Sequence, residues 1–439
     1  MQTKLNPLMK QPAIPLSRQI TADKRLVIVV ALAFALAVNS HTLWAADEND
    51  VVAPNEKSSA ESKAADDTNA TEMSPIEVRG ANQEKSYIAP VASTGTKTDT
   101  PLMETPLNIQ VVPQQVLQDQ KVTTLAQALK NVSGVKTSPY GGLQEFIYLR
   151  GFLTTTTFRN GFRIDDTNGN GLRNMTNVDS VEVLKGPAAI LYGRVEPGGV
   201  VNIVTKQPQA VPYYSLEQQV GSWDHYLTNL DATGPFNEDK TVLYRANISY
   251  DKSNSWRDSV TNERLFIAPT LQWRINPQTQ MTLEAEYNHN PHTYDATQYL
   301  PYDTATNQFV QLPRNQNLAA GAPIATDTTL LGFNWSHQFN NDWSIKHQIM
   351  RNEAKTTTDP FYYAAGFTQL SSTSWTVDRA RTFGVADDKT TATVLDLTGH
   401  FDTAGLKHTL LLGADYYQQK MKNTYGYSAT VSTVDAFNP

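Results

Sequence analysis

Six consecutive residues have the composition of a metal-binding loop. The segment Asp166-Thr167-Asn168-Gly169-Asn170-Gly171 begins like a calcium loop, with oxygen-bearing side chains at alternate positions and a glycine in sixth place. A calcium loop carries a glutamate in twelfth place, which is Asn177 here, and no helical pattern flanks the segment. We therefore interpret the segment as a glycine–asparagine turn. No cluster of metal ligands is evident among the eight histidines.

A second glycine-rich stretch, residues 181–208, could be mistaken for a phosphate-binding loop. It reads VEVLKGPAAILYGRVEPGGVVNIVTKQP. Residues 181–184 alternate as a strand, residues 188–192 suit a short helix, and residues 200–206 suit a second strand. The pair Gly193-Arg194 lacks the Gly-Lys-Ser/Thr ending that cradles phosphates. The pattern predicts a strand–helix–turn–strand corner, which ordinary α/β domains also contain, and gives no support for a nucleotide site.

Signatures of catalysis are missing from the sequence. It has no Gly-x-Ser-x-Gly elbow and no His-Glu-x-x-His pair, and it has no cysteine for a disulfide or a thiolate metal site. The net charge of −7 and the lack of a basic run with interleaved aromatic residues argue against nucleic acid as a partner. These absences argue against an enzyme, and no cofactor site is evident.

Residues 181–208 resemble the end of the plug domain in the TonB-dependent receptors of Gram-negative outer membranes. The best match is to the siderophore-receptor branch that includes the ferrichrome receptor. The resemblance rests on Val-Glu-Val-Leu-Lys-Gly-Pro, Leu-Tyr-Gly, Pro-Gly-Gly and Asn-Ile-Val-Thr-Lys, in that order. It implies an α+β plug domain followed by a membrane antiparallel β-barrel.

The N-terminal residues predict export and a periplasmic tail. Residues 1–46 read as a signal peptide, because basic residues precede an apolar run at 26–38 that is too short to span a membrane, and small residues follow. Residues 47–94 are predicted to be a disordered tail, since their first part is acidic and has no aromatic residue.

Within this tail an alternating segment near 74–80 resembles the TonB box, through which the periplasmic protein TonB grips these receptors. Its residues are Ser74, Pro75, Ile76, Glu77, Val78, Arg79 and Gly80. Physically it is a strand that awaits a partner edge. The end of a linker is the alternative interpretation.

Residues 95–208 are predicted to be the plug. Short strands and helices are expected at 107–111, 113–120, 124–132 and 146–152, before the corner at 181–208. The resemblance implies that Tyr140, Thr156 and Thr157 contact the ligand from loops between strands. It also implies a polar lock between plug and barrel, with Arg150 and Glu182 as candidates. Solvated loop residues and an ordinary exposed pair are the respective alternatives.

From residue 209 to 439 apolar and polar residues alternate in one segment after another, as in Met281, Leu283 and Ala285 between Thr282, Glu284 and Glu286. Tight polar turns at 237–240, 276–279, 340–342 and 402–405 alternate with long connections at 252–262, 291–327 and 355–388. This alternation is typical of a transmembrane barrel with periplasmic turns and extracellular loops. The apolar face would contact lipid, and Glu284, Glu286, Arg245 and Arg274 would face the lumen.

About nine strands can be counted, against about 22 in plugged outer-membrane transporters. We therefore expect a truncated barrel, from the N-terminal part of a receptor.

The function that the resemblance implies is binding of an iron(III)–siderophore complex, with a hydroxamate type as the guess, and its TonB-driven import across the cell outer membrane. The implied partners are TonB with its ExbB–ExbD complex, the ferric siderophore and outer-membrane lipid. Open alternatives are a receptor for cobalamin or haem, a passive barrel, and an inactive truncated remnant.

Overall fold

The computed structural model describes residues 86–97, 100–140, 144–165, 173–186, 189–295, 300–321 and 324–438, all within one compact unit of the chain. The predicted signal peptide, the predicted TonB box and the turn at 166–171 lie outside these residues.

The first part of the described chain is a set of short helices and strands, as predicted for the plug. The helices are α1 (Ser93–Thr96), α2 (Gln114–Asp119), α3 (Leu125–Leu129) and α4 (Ala189–Tyr192), with a 3₁₀ turn at Leu102–Glu104. The strands are β1 (Asn108–Val112), β2 (Val135–Tyr140), β3 (Gln144–Leu149), β4 (Phe152–Thr154), β5 (Thr156–Arg159), β6 (Phe162–Asp165), β7 (Val178–Lys185) and β8 (Gly199–Thr205). The predicted corner is confirmed as β7, α4 and β8.

Local chemistry explains where α3 begins and which face it buries. The Thr124 hydroxyl accepts a hydrogen bond from the Gln127 amide at 3.4 Å, and the Gln127 side chain accepts one from the Thr124 amide at 3.3 Å. This reciprocal capping box satisfies amides that have no partner inside the helix. The helix then buries Leu125, Ala128 and Leu129 against the strands.

Two small sheets organise the plug. One has the order β1-β7-β8-β5-β6, in which only β5 and β8 are parallel, and the other has the order β2-β3-β4. β7 and β8 are buried on both faces, where apolar residues such as Val181 and Val201 are joined by the buried polar residues Glu182 and Asn202. The main core joins Val181, Val183 and Ile203 of this sheet to Leu129 and Leu149.

The rest of the described chain forms one large antiparallel sheet. Its strands are β9 (Tyr213–Gly221), β10 (His225–Pro235), β11 (Val242–Asn254), β12 (Thr261–Asn276), β13 (Thr279–His292), β17 (Ile324–Gln338), β18 (Trp343–Gln369), β19 (Trp375–Thr403) and β20 (Leu406–Asp435) in this spatial order. The short strands β14 (Tyr302–Asp303) and β15 (Gln308–Phe309) pair with each other, and β16 (Ala320–Gly321) pairs with β18. Within the described residues β9 and β20 are the edges, so the sheet is open. No helix in this part of the chain is long and apolar enough to cross a membrane.

One predicted connection is wrong. Residues 355–388 are not a long loop, because β18 continues to Gln369 and β19 begins at Trp375. Only residues 370–374 lie between the two strands. The paired ends are rich in β-branched and aromatic residues, which favour strands. The predicted tight turns at 237–240, 276–279, 340–342 and 402–405 do separate consecutive strands.

The two faces of the large sheet differ as predicted. Glu284, Glu286 and Arg245 lie on the face that contacts the plug, whereas Arg274 is exposed near the end of its strand. The opposite face exposes large apolar side chains, among them Ile248, Trp273, Leu283, Leu331, Leu395 and Leu412. Tyr244 is buried, but its neighbours are Phe236 and Tyr214 of the same sheet.

Candidate functional site at the plug–sheet interface

Arg159 forms the strongest polar link between the plug and the large sheet. The parallel pairing of β5 with β8 ends at this residue, whose side chain is 2% exposed. Its Nε donates to Glu286 Oε1 at 2.9 Å, and an Nη donates to Glu284 Oε2 at 2.9 Å. The two glutamates alternate along β13 and therefore point to the same side. One guanidinium thus bridges two carboxylates of the sheet wall.

Side-chain amides help to compensate the negative charge of the two glutamates in this link. Burial by itself lowers the pKa of Arg159, but the two neighbouring glutamates outweigh it and hold the pKa above its usual value. The Asn177 amide donates to Glu286 at 2.6 Å and the Asn334 amide to Glu284 at 3.4 Å. These neutral donors stabilise two carboxylates that share a single cation.

A second ionic cluster links the end of the plug to β10 and β11. Lys206 Nζ is 2.9 Å from Asp231 Oδ2 and donates to the Thr176 carbonyl at 2.8 Å. Arg245 binds Asp231 through two hydrogen bonds of 2.9 and 2.7 Å, and donates to the Gln207 carbonyl at 2.9 Å. The bidentate geometry makes this a strong and directional contact.

Asp179 lies beside the second cluster, at a register shift in the pairing of β7 with β8. Burial raises the pKa of Asp179 from 3.8 to about 6, against the opposing effects of Arg245 and Lys206. Burial also lowers the pKa of Lys206, although Asp231 acts in the other direction. We therefore expect the stability of this end of the interface to depend on pH.

The interface also contains a cavity and a small apolar contact. The cavity has a volume of about 60 Å³ and is lined by side chains of both parts, including Arg159, Asn177, Phe266, Asn288 and Thr328. Most of its lining residues are polar, and it is large enough for ordered water. Phe162 and Ile164 of β6 pack against Leu330, Met350 and Ala392 of the sheet. The plug is thus held by ion pairs, hydrogen bonds and one apolar patch.

The predicted lock residues occupy other positions. Arg150 is exposed at the turn between β3 and β4, with a φ of 50°, and its amide donates to the Gly134 carbonyl at 2.8 Å. Glu182 is buried and accepts hydrogen bonds from the Thr94 amide, at 2.8 Å, and from the Thr94 hydroxyl, both within the plug. Among the described residues, the plug side chains that form ion pairs to the sheet are Lys121, Arg159 and Lys206. A lock role for Arg150 and Glu182 stays a prediction.

The predicted ligand contacts are only partly described. The interpretation of residues 154–159 as a loop is wrong, because they end β4 and form β5, where Thr156 and Thr157 are buried. The Thr156 hydroxyl is 3.3 Å from Glu196 Oε1, and the Thr157 hydroxyl donates to the Ile164 carbonyl at 3.2 Å. Tyr140 ends β2, and its side chain is outside the description. Ligand contact by these three residues stays a prediction.

Sequence reasoning missed the partnership of Arg159 with the two glutamates. It expected Glu284 and Glu286 to face the lumen but named no plug residue opposite them. The available signal was that Arg159 is the one charged residue of the short strand β5, since such a charge needs a partner when it is buried. Among the described residues no group of three or more acidic or histidine side chains could hold a metal ion.

Comparison with known proteins adds three findings. Residues 101–200 match the family described as TonB-dependent Receptor Plug Domain. The metal-pseudopaline receptor CntO of Pseudomonas aeruginosa is 32% identical over 397 residues, which are 89% of this chain and 52% of that protein. The ferrioxamine B receptor of Salmonella typhimurium is 29% identical over 80% of this chain and 51% of its own length.

Among solved structures, the ferripyoverdine receptor of the outer membrane of Pseudomonas aeruginosa superposes with a TM-score of 0.71 at 24% identity, over 83% of this chain and 48% of that one. This likeness shows a shared fold. The chain spans about half the length of the curated relatives it matches.

Proposed function

The chain belongs to the TonB-dependent siderophore receptor family, and from this premise we propose that it acts in an outer-membrane receptor that binds a ferric siderophore and passes it into the periplasm. The relatives named above are receptors, and we propose that this protein likewise catalyses no covalent reaction. It would work in the outer membrane of a Gram-negative bacterium.

The observation that supports import most directly is the composition of the plug–sheet interface. Among the described residues, ion pairs and hydrogen bonds hold the plug around a cavity lined mostly by polar residues, and one buried apolar cluster joins the plug to the sheet. Polar contacts can exchange their protein partners for water as the plug moves. They therefore prevent leakage past the plug while it is in place, and they still allow the plug to be displaced. Breaking one buried ion pair still costs about 3–5 kcal/mol, so displacement needs an external source of work.

We propose that TonB, energised by ExbB and ExbD, supplies this work by pulling on residues 74–80. An extended segment next to a disordered tail can add as a strand to a partner's sheet, where main-chain hydrogen bonds transmit force. The chain itself needs no cofactor for this step, because the iron would be held by the siderophore.

The identity of the ligand is a further proposal. Relatives are named as receptors for metal-pseudopaline, ferrioxamine B and ferrichrome, so the family admits several ligands. A ferric siderophore is the common proposal, and the hydroxamate type stays a prediction. Uptake of radiolabelled iron, supplied with a panel of siderophores to cells that carry the whole protein, would identify it. Uptake of cobalamin or haem alone would contradict the proposal.

The TonB-box variant Ile76→Pro tests the mechanism. Proline removes one main-chain donor and disrupts strand pairing, so we expect uptake to fall to the level of cells without TonB while surface binding stays unchanged. Ser62→Pro, in the tail ahead of the box, is the matched control and should leave uptake intact. Equal uptake by Ile76→Pro and the unaltered protein would exclude TonB coupling through this segment.

A further inference from the structure

Arg264 is a buried cation that makes no hydrogen bond or ion pair with any residue that the structure describes. It lies on β12, on the same face as Phe266 and near the strand end that carries the connection 255–260, and is 4% exposed. Among the described residues its guanidinium makes no hydrogen bond and no ion pair, and its Nε is fully enclosed. The other buried arginines of the interface, Arg159 and Arg245, each bind carboxylates.

Arg264 has one carboxylate near it, but no direct bond to it. Asp251 is its cross-strand partner on β11 and acts on its charge, yet the two side chains form no hydrogen bond and no ion pair. The Asp251 Oδ1 lies 3.2 Å from His225 Nε2 without a hydrogen bond. On β13 the register sets Arg264 opposite Asn290, two residues before His292, so this side of Arg264 offers neutral groups.

Two of these neutral groups also have unused hydrogen-bonding atoms. His292 Nδ1 lies 3.3 Å from the Asn290 carbonyl, so this nitrogen donates the proton and Nε2 of the neutral ring carries a lone pair. Both His292 Nε2 and Asn290 Oδ1 are enclosed and have no partner within the described structure. A strong cationic donor and two acceptors are thus gathered on one face of β12 and β13.

A buried guanidinium without hydrogen bonds is costly, because burial removes most of its hydration and the nearby charge of Asp251 replaces only part of it. Structural arginines avoid this by pairing, as Arg159 and Arg245 do. The residues next to Arg264 toward the plug, Phe266 and Asn288, line the interface cavity, so Arg264 lies just beyond the plug contact, on the side of the long connections.

We propose that Arg264 is the anchor of a binding site for a small oxyanion, a carboxylate or a phosphate group. The planar guanidinium donates two parallel hydrogen bonds to the anionic oxygens. Asn290 Oδ1 and His292 Nε2 accept hydrogen bonds from an acidic or hydroxyl proton of the same ligand. The site favours an anion that also carries a donor, such as dihydrogen phosphate or a hydroxycarboxylate. This inference does not depend on TonB or on iron.

Calorimetric titration of the purified full chain in neutral detergent micelles tests the site. The probes are inorganic phosphate and malate, each against chloride at equal ionic strength. We expect saturable binding of at least one probe. Arg264→Gln should weaken it at least about tenfold, since a hydrogen bond to a charged group contributes about 1.5–3 kcal/mol. Arg274→Gln, an exposed arginine of the same strand, is the matched control and should not change it.

The two probes separate the possible sources of the anion. Binding of phosphate alone identifies a free inorganic ligand, and binding of malate alone identifies an organic carboxylate. Binding of neither by the unaltered chain, or equal binding by the Arg264→Gln chain, overturns the proposal.

Thermal unfolding without either probe gives an independent check. Because Arg264 is unpaired, Arg264→Gln should unfold at the same or a higher temperature than the unaltered chain. A clear fall in the unfolding temperature would show that Arg264 is held by contacts inside the protein, and it would also overturn the proposal.

Discussion

At the residue scale, Arg159 is the cation that holds the plug to β13. A single buried guanidinium offsets two carboxylates on neighbouring inward positions of β13. Removing it leaves two buried negative charges without a cation, so the effect is larger than the loss of the ion pair itself.

We predict that Arg159→Gln lowers the free energy that holds the plug by about 3–5 kcal/mol, because Glu284 and Glu286 lose their cation. Pulse proteolysis of the plug across a urea series measures this change. The triple variant Arg159→Gln, Glu284→Gln, Glu286→Gln should recover part of the loss, since no buried charge remains. A triple variant no more resistant than the single one would contradict this explanation.

Arg351→Gln is the matched control for Arg159. Arg351 is paired with Glu353 at 2.6 Å, but the two side chains are 58% and 40% exposed. Exposed pairs contribute less than about 1 kcal/mol, so little change is expected.

Asp179 gives the interface a predicted pH dependence. Its pKa is raised from 3.8 to about 6 by burial, so between these values the folded chain holds a proton that the unfolded chain has lost. The stabilisation is complete below pH 3.8 and is lost as the pH rises through about 6. We expect urea unfolding of the unaltered chain and Asp179→Asn to agree near pH 4. Above pH 6 the variant should be more stable by up to about 3 kcal/mol. A difference that grows toward low pH instead would show that Asp179 is stabilised as a carboxylate.

At the scale of elements, the corner β7–α4–β8 depends on two kinds of glycine. Gly199 has a φ of 131° and pairs with Lys185, and an added Cβ there would overlap the Leu184 carbonyl oxygen. Gly193 has a φ of 65°, and a Cβ there would meet no atom within 4 Å. The first glycine is needed for space and conformation, the second for conformation alone.

We therefore predict different costs for two alanine substitutions. Gly199→Ala should destabilise the plug by about 2–4 kcal/mol, because the backbone of β7 must move. Gly193→Ala should cost only about 1–2 kcal/mol, the penalty of a left-handed alanine. Hydrogen exchange of the β7 and β8 amides measures both. Equal protection in the two variants would mean that the close approach of β8 to β7 is not rigid.

The strands of the large sheet illustrate a limit of pattern reading. Alternation located β11, β12 and β13 and their tight turns, because one face is apolar and the other polar. It failed for residues 355–369 of β18 and 375–388 of β19, where aromatic and small residues follow one another, as in Tyr362-Tyr363, and the period of two disappears. Those residues are strands because each pairs with a neighbour, for example Thr357 with Val385.

At the scale of the whole molecule, the large sheet has a plug on one face and exposed apolar side chains on the other. Leu283 is 54% exposed at the middle of β13. Successive cross-strand pairs connect Leu283 to Tyr416 on β20, so the two residues lie at the same height on the sheet. In an outer-membrane protein this level contacts the hydrocarbon of the bilayer.

We predict that Leu283→Lys weakens folding into phospholipid vesicles by about 2–4 kcal/mol, the cost of a lysine at mid-bilayer. Tyr427→Lys is the matched control, because Tyr427 is 84% exposed and lies beyond Tyr416 along β20, outside the apolar level. It should fold like the unaltered chain. Urea titration of vesicle-inserted protein measures both, and equal tolerance would show that the face does not meet lipid.

The sequence by itself determined the resemblance to a receptor family, the corner at 181–208, the two-faced strands and the tight turns, because each depends on neighbours a few residues apart. Only the tertiary structure decided that Arg159 meets Glu284 and Glu286, that Thr156 and Thr157 are buried in a strand, and that no described residue forms a hydrogen bond with Arg264. These facts depend on contacts between segments more than 100 residues apart, or on what surrounds a side chain. No local period encodes them, since a buried charge is defined by the partner that the fold brings to it.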